Sequence, residues 1–117
     1  MSRIDDHLFI GKSGREHAFT VHARRAVLPS RPALYLLGYR HPRGHLAGFH
    51  VVPLWLGMAE NLAARLAAHP SEECLRSELW NCVCVLEAGP YANTQAPREV
   101  FDDLLPALAP ACGHDAS

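Results

Sequence analysis

Two apolar, aromatic segments on either side of a short loop constrain the fold of this chain most strongly. The segments are PALYLLGYR, residues 32–40, and FHVVPLWLG, residues 49–57. Both are rich in residues that favour strands, and the loop between them contains a proline and two glycines, which are typical of turns. The pattern therefore predicts a buried pair of antiparallel strands. Pro53 cannot donate a backbone hydrogen bond, so we expect it at a sheet edge, at a bulge or at the start of its strand.

Shorter patterns predict two more strands and two helices. Residues 17–23 alternate polar and apolar side chains and residues 81–88 form another apolar run, so both segments are predicted strands. A helix is predicted over residues 59–68, ending before a proline, and a second over residues 71–80, with Ser71 as its N-cap.

A last helix is predicted over residues 98–110, because five apolar residues recur there at helical spacing: Val100, Phe101, Leu104, Leu105 and Leu108. Pro106 is expected to end or kink this helix. Residues 89–97 are predicted to form a surface loop, and residues 114–117 a frayed tail.

The order β-β-β-α-α-β-α predicts an α+β fold, in which a small, mostly antiparallel sheet is flanked by helices. The chain has 117 residues, enough for one hydrophobic core and too few for two, so residues 1–117 are expected to form a single domain. A hydrophobic content of 49% and a charged content of 20% agree with a globular protein.

The N-terminal segment and the cysteines bear on location. No apolar run approaches the roughly 20 residues that cross a bilayer, and charged residues interrupt the N-terminal segment MSRIDDHLFIGKSGREH. We therefore predict a cytoplasmic protein with no membrane partner, whose four cysteines are reduced thiols. A zinc site of cysteines with His69 is the alternative. However, C-x₂₋₄-C spacing is missing, and the pair Cys82 and Cys84 on one face of an apolar strand is more typical of a core.

The net charge of −1 conceals an uneven distribution of charge along the chain. Residues 1–45 contain eight arginines or lysines and three acids, whereas residues 46–117 contain three basic residues and nine acids. Such asymmetry can mark a nucleic-acid surface. The alternative is that the two halves of the chain pair with each other across the fold.

Three polar residues stand out in the alanine-rich helix predicted at residues 59–68. Asn61, Arg65 and His69 follow one another at a spacing of four, which would place them on one stripe of a helix. A helix that only packs against a core does not require an amide, a guanidinium and an imidazole in line. The alternatives are a solvated arginine at position 65 and, at position 69, an imidazole favoured by the helix C-terminus.

The order of these segments resembles the GIY-YIG nuclease superfamily, in a bacterial branch of small stand-alone domains. The family has a strand ending in Gly-Ile-Tyr, a strand with Tyr-Ile-Gly, a helix with an arginine, and a later helix with a metal-binding glutamate. Here ALY at residues 33–35 and WLG at residues 55–57 stand at the two strand motifs. Arg65 follows at the position of the helix arginine, and His69 completes the branch's R-L-x-x-H pattern. The resemblance covers residues 32–113.

The resemblance also extends to the closing segment and implies roles for individual residues. DLLPALAPAC, residues 103–112, resembles the branch's D-L-I-x-x-x-x-P-x-C ending. In such a site Tyr35 and Arg65 would be the catalytic residues, since a hydroxyl handles a proton and an arginine meets the charge that develops on phosphate. The resemblance places four binding residues around them: Trp55, Gly57, Asn61 and His69.

Departures from the family pattern predict that the site is degenerate. Phe101 stands where the family has the glutamate that would hold Mg²⁺ or Mn²⁺, and phenylalanine cannot bind a metal. Trp55 stands at the second motif's tyrosine and lacks its hydroxyl. Glu99 and Asp102 are near Phe101 in sequence but are rotated about 200° and 100° around the helix. We therefore expect no resident cofactor, and Mg²⁺ or Mn²⁺ only if the protein is active.

Three functions remain open at this point. The first is a catalytically impaired GIY-YIG-like domain that binds nucleic acid weakly through phosphate contacts. The second is an active metal-dependent endonuclease that cleaves DNA and takes its carboxylate from Asp102, Glu99 or a second subunit. The third is an interaction protein that has kept only the fold, and its protein partner cannot be read from the sequence.

Overall fold

The computed structural model describes residues 3–69, 72–86 and 96–116. These residues form six strands and three helices, in the following chain order: β1 (Arg3–Ile10), β2 (Glu16–Ala23), β3 (Ala33–Pro42), β4 (Phe49–Ala59), α1 (Leu62–Ala67), α2 (Glu72–Ser77), β5 (Cys82–Leu86), α3 (Pro97–Leu108) and β6 (Gly113–Ala116).

All six strands belong to one sheet with the order β1-β2-β5-β3-β4-β6. Every neighbouring pair is antiparallel except β4 and β6, which run parallel. Helices pack on both faces of this sheet. The predicted α+β fold with a mostly antiparallel sheet is therefore confirmed.

The predicted hairpin is the centre of the sheet. Strands β3 and β4 pair in antiparallel fashion, with Tyr35 opposite Gly57 and Leu37 opposite Trp55. The register then shifts by one residue, so that Gly38 lies opposite Pro53. Pro53 therefore lies beside a β-bulge, one of the three positions expected for it, because the irregular pairing tolerates the missing backbone donor.

Two strands were not predicted, and one of them corrects the prediction of a frayed tail. Strand β1 pairs with β2 at one edge of the sheet. At the other edge, Gly113–Ala116 forms β6 and pairs with β4 from Trp55 to Met58. The backbone N–H of Cys112, just before β6, donates to the Leu54 carbonyl at 2.7 Å. Main-chain hydrogen bonds thus order this polar segment, and Ser117 lies outside the described residues.

The two faces of the sheet carry separate hydrophobic clusters. On one face, α3 packs its predicted stripe, including Phe101, against Leu34 and Leu36 of β3. On the other face, α1 and α2 pack against Tyr35 and Leu37. Because side chains alternate along a strand, these two pairs of β3 residues point in opposite directions. Phe101 is only 3% exposed, and it lies on the opposite face from Tyr35.

The first helix is shorter than predicted, and this corrects the three-residue stripe. Strand β4 continues to Ala59, opposite Ala33, so α1 contains only Leu62–Ala67 instead of residues 59–68. Asn61 is its N-cap and His69 lies beyond its C-terminal end. Only Arg65 is therefore a helical residue, and the three side chains do not form a helical stripe.

The other predicted elements agree with the structure more closely. Helix α2 (Glu72–Ser77) lies within the predicted segment 71–80. The predicted N-cap, Ser71, lies outside the described residues. Strand β5 lies within residues 81–88, and residues 89–95 of the predicted loop are also outside the described ranges. Helix α3 continues through Pro106 to Leu108, because a proline near the last turn removes few helical hydrogen bonds.

The cysteines divide into two kinds, which corrects the prediction that all four are reduced. Cys74 in α2 and Cys112 before β6 form a disulfide, with their Cα atoms 5.8 Å apart. Cys82 and Cys84 are free thiols buried in the cluster beneath α3, as predicted for core residues on one face of a strand. The disulfide joins residues that are 38 positions apart, and such pairing is invisible to sequence spacing.

Among the described residues, none of the helices is long and apolar enough to cross a membrane.

Candidate functional site

The candidate site is a row of residues that crosses three strands on the face covered by α1. Tyr35 of β3, Gly57 of β4 and Asp115 of β6 are register partners, so they lie side by side across the sheet. Arg65 of α1 contacts both ends of this row: its Nε donates to the Tyr35 hydroxyl at 3.3 Å, and its guanidinium forms an ion pair with the Asp115 carboxylate. The structure thus brings both predicted catalytic residues together.

Gly57 makes room for the tyrosine ring. A Cβ atom at this position would lie 2.7 Å from Cζ and from the hydroxyl oxygen of Tyr35. Such a distance is far inside van der Waals contact, so the ring lies across the strand only because residue 57 has no side chain. Gly57 is therefore a strand residue that belongs to the site because its missing side chain leaves space for the Tyr35 ring.

The Tyr35 hydroxyl connects Arg65 with His69. It lies 2.9 Å from Nε2 of His69, and the Tyr35 side chain is fully buried. Burial raises the pKa of Tyr35, while the hydrogen bond and charge of Arg65 act in the opposite direction. Arg65 can only donate to this hydroxyl, so the hydroxyl is an acceptor in that contact.

His69 is a neutral imidazole in this arrangement. Burial, and then the positive charge of Arg65, lower the pKa of His69 to about 4. A neutral imidazole has one protonated and one unprotonated ring nitrogen, and either can form a hydrogen bond with a hydroxyl. The ring also packs edge-on against Trp55, with 4.8 Å between the ring centroids. His69 is itself buried, so it contacts Tyr35 from the interior of the protein.

Arg65 is the member of the network that reaches solvent. Its side chain is 25% exposed and that of Asp115 is 30% exposed. A shallow groove of about 430 Å³ lies beside Arg65 and is lined by Arg65, Asn61, Glu60 and three alanines of the same segment. The Nη2 atom of Arg65 is buried beside Asp115, so only the exposed part of the guanidinium can meet an anion in the groove.

Asn61 and Trp55 have structural roles at the margins of the site. The Asn61 Oδ1 atom accepts a hydrogen bond from the Ala64 backbone N–H at 3.1 Å, so its side chain caps α1. Trp55 is almost fully buried beneath His69, and a Cβ atom at Gly113 would lie 3.1 Å from its ring. Neither side chain projects a free polar group towards the groove.

The position at which the resemblance expects a metal-binding glutamate lies away from Arg65. Phe101 lies in the core under the opposite face of the sheet, so a glutamate at this position would not meet Arg65 either. Asp102 is paired with Arg98 on the exterior of α3. Within residues 3–69, 72–86 and 96–116, no three histidine, cysteine or acidic side chains come together as metal ligands would.

The residue that sequence reasoning missed is Asp115. Its position in a polar C-terminal segment gave no apolar periodicity, and its contact with Arg65 depends on the parallel pairing of β6 with β4. No local pattern could reveal that pairing. A charge-based search for partners of Arg65 would have found Asp115 only as one of twelve acids in the chain.

A second polar cluster, on the α3 side of the molecule, is a structural clamp. The carboxylate of Asp103 accepts hydrogen bonds from the backbone N–H and the hydroxyl of Ser13, both at 2.8 Å. Its Oδ2 atom also lies 2.8 Å from Nε2 of buried His17. These contacts, that of His17 first, lower the pKa of Asp103 to about 2. Because the acid lies between the serine and the histidine, the histidine is not placed to take a proton from the serine.

Comparisons of the chain with protein-family models, with curated proteins and with solved structures found no match.

Proposed function

We propose that this protein is a nucleic-acid-binding domain of GIY-YIG-like character that binds phosphate without cleaving it. The observation that carries this proposal is the position of Arg65. Its guanidinium is held by Tyr35 on one side and remains partly exposed beside a groove on the other. Arginine is the side chain best suited to bind phosphate through two parallel hydrogen bonds.

The ion pair between Arg65 and Asp115 supports the proposal that the ligand is an anion. The guanidinium of Arg65 is already paired with a carboxylate of the same chain, and an anionic ligand would offer it the same kind of oxygen acceptor. The phosphates of a nucleic-acid backbone offer the same kind of oxygen acceptors in a continuous row. We infer that a backbone phosphate competes with Asp115 for Arg65, and that binding is weak because the carboxylate must first be displaced.

Burial of Tyr35 and the local side chains argue against cleavage. The Tyr35 hydroxyl is beneath the surface and is occupied by Arg65 and His69, so a scissile phosphate would not reach it. Its pKa is raised, which keeps the proton on the phenol. The neighbouring residues also do not suit the metal that polarises phosphate in metal-dependent nucleases.

A long acid-free segment supports nucleic acid as the partner. From His17 to Ala59 the sequence contains no aspartate or glutamate, but it contains five arginines: Arg24, Arg25, Arg31, Arg40 and Arg43. Nucleic-acid binding through such residues would be insensitive to sequence and would weaken as salt is added. A cytoplasmic location remains part of the proposal, although the Cys74–Cys112 disulfide is of a kind that is rare in a reducing compartment.

The proposal is tested by fluorescence anisotropy with a labelled short DNA duplex at low salt. Arg65→Ala should weaken binding about tenfold, the equivalent of about 1.4 kcal/mol. Arg98→Ala is the matched control, because it also removes a helix arginine that pairs with an aspartate and changes the net charge equally. It should change the affinity by less than about twofold, because Arg98 lies on α3, away from the groove.

Two further measurements complete this test. Arg65→Lys keeps the charge but loses the planar fork, so it should bind more weakly than the wild type and more tightly than Arg65→Ala. Plasmid nicking with Mg²⁺ or Mn²⁺ should remain at the level of the buffer control. Robust metal-dependent nicking that Arg65→Ala abolishes would contradict the absence of cleavage, and equal affinities of Arg65→Ala and Arg98→Ala would contradict the site.

A further inference from the structure

The hairpin of β3 and β4 extends beyond the rest of the sheet. Strand β5 pairs with β3 only from Tyr35 to Gly38, and β6 pairs with β4 only from Trp55 to Met58. Beyond these points, residues 39–42 and 49–52 pair only with each other. Together with the turn at residues 43–48, they form a two-stranded arm, which we call the ribbon. Its base packs on the hydrophobic clusters through Tyr39, Val51 and Val52, and its exposed part is residues 42–50.

The base of the ribbon is fastened to the sheet. Asn81 accepts a hydrogen bond from the Arg40 backbone N–H at 2.7 Å and donates one to the Arg40 carbonyl at 2.9 Å. The Arg40 guanidinium lies 3.6 Å from the centre of the Phe49 ring and forms an ion pair with Asp5 of β1 at 3.1 Å. These contacts fix the direction in which the ribbon leaves the domain, so it is a preformed element.

The ribbon combines positive charge with aromatic rings, of which those of Tyr39 and His41 are partly buried and that of His50 is exposed. It lies entirely within the acid-free segment, and its turn contains exposed Arg43 and His45. On one face the rings of Tyr39 and His41 are stacked with 5.2 Å between centroids, and His50 stands edge-on to His41 at 5.3 Å. The outer part of the ribbon therefore carries cationic and hydrogen-bonding side chains and presents no carboxylate.

We propose that the ribbon is a second nucleic-acid contact and that its partner is a DNA duplex, which it enters through the major groove. The major groove of B-DNA, about 12 Å wide, admits a two-stranded β-ribbon. The exposed turn offers Arg43 and no carboxylate, which suits a groove that is bordered by phosphates on both sides.

This inference rests on the proposed function only for the identity of the partner, since the ribbon is separate from the Arg65 site. Pro42, at the base of the turn, follows Tyr35 by seven positions of β3, a distance of about 23 Å along a strand. The two contacts therefore fail independently. An Arg65 substitution tests the groove, and a substitution at the tip of the ribbon tests the ribbon.

The experiment compares two ribbon variants with the wild type by duplex anisotropy over a series of salt concentrations. Arg43→Ala should weaken binding several-fold and reduce the slope of log affinity against log salt by about 1, because one phosphate contact is lost. In the second variant, Asn-Gly replaces residues 43–48, which leaves a two-residue hairpin and shortens the arm. It should lose at least as much affinity as Arg43→Ala while its thermal midpoint remains close to that of the wild type.

Each outcome decides between the two contacts. If both ribbon variants bind the duplex as the wild type does while Arg65→Ala binds weakly, the ribbon proposal is overturned and the proposed function stands. If the ribbon variants lose affinity and Arg65→Ala does not, the ribbon stands alone. Absence of duplex binding by the wild type at low salt overturns both proposals. Tighter binding of a single strand of the same sequence overturns the groove assignment of the ribbon.

Discussion

The two faces of the sheet show two different ways of filling a protein interior. Beneath α3 the contact is apolar, with Phe101 and Leu104 packed on alternate residues of β3, and the polar clamp of Asp103 lies at its margin. Beneath α1 the interior contains a phenol that contacts both an imidazole and a guanidinium. The first face follows from local periodicity. The second depends on segments that are distant in sequence, and its guanidinium is partly exposed to solvent.

The largest expected effect tests the apolar face. Phe101→Ala should destabilise the protein by about 3–5 kcal/mol, because it leaves a cavity among residues that cannot close around it. Urea unfolding measures this loss. Phe49→Ala is the control, since its ring is 41% exposed, and it should cost much less. A loss of stability below about 1 kcal/mol for Phe101→Ala would mean that the Phe101 ring is not packed in the core beneath α3.

The next effect concerns the disulfide that fastens β6 beside the polar face. Replacing both Cys74 and Cys112 with serine should destabilise the protein by about 2–4 kcal/mol, because the link closes a loop of 38 residues in the unfolded chain. A reductant should produce a similar loss in the wild type and none in the double variant. Equal urea midpoints for the wild type with and without reductant would contradict this account of β6.

A smaller effect, the pH dependence of the free energy of unfolding, distinguishes the two faces of the sheet. The pKa of His69 is about 4 in the folded protein and near 6.5 when unfolded, so the unfolded chain takes up a proton first as the pH falls. Stability from this residue is thus complete above pH 6.5 and declines between pH 6.5 and 4. Complete burial would make the loss about 3 kcal/mol, and partial hydration reduces it to about 1–2 kcal/mol.

His69→Gln should flatten the stability profile in that window, which chemical unfolding at a series of pH values measures. Asp103 provides the contrast, because its folded pKa of about 2 lies below its usual 3.8. Its contribution is present above pH 3.8 and is lost as the pH falls towards 2, so Asp103→Asn should alter the profile only below about pH 4. A change of slope between pH 6.5 and 4 in the Asp103 variant, and none in the His69 variant, would reverse the assignment.

The smallest expected effect concerns the competition for Arg65. Asp115→Asn removes the carboxylate charge from a partly exposed ion pair, and such pairs contribute about 0.2–1 kcal/mol. The variant should therefore bind a DNA duplex up to about fivefold more tightly than the wild type. Asp102→Asn, which removes an equal charge from an exposed pair on α3, is the control. Equal effects of the two variants would show that net charge alone is responsible.

The elements that the sequence predicts well are those with a strong local pattern. The β3–β4 hairpin and the stripe of α3 were predicted because their apolar residues recur with the periods of a strand and of a helix. Strand β1 has no such clear pattern. Its apolar residues Ile4, Leu8 and Ile10 are exposed, so they do not mark a buried face. The polar segment of β6 has none either, and only its pairing with β4 makes it a strand.

Part of the candidate site was predicted for a reason that the structure corrects. The resemblance and the spacing of four placed Tyr35, Arg65 and His69 near one another, and the structure brings them together. However, His69 reaches Tyr35 from beyond the end of α1, and Asn61 is a helix cap. Asp115 was missed because its contact depends on a parallel strand pair that no nearby residues specify.

The most direct test of the account is nuclear magnetic resonance of the ¹⁵N-labelled protein, titrated with a short DNA duplex at low salt. The account predicts that the Arg65 side-chain Nε–H signal and the backbone signals around the groove and the ribbon shift, while those of α3 do not. The shifts should disappear as salt is added, because phosphate contacts carry the binding. Shifts concentrated on α3, or an unchanged Arg65 signal at saturating duplex, would contradict the claim that the Tyr35–Arg65 face binds nucleic acid.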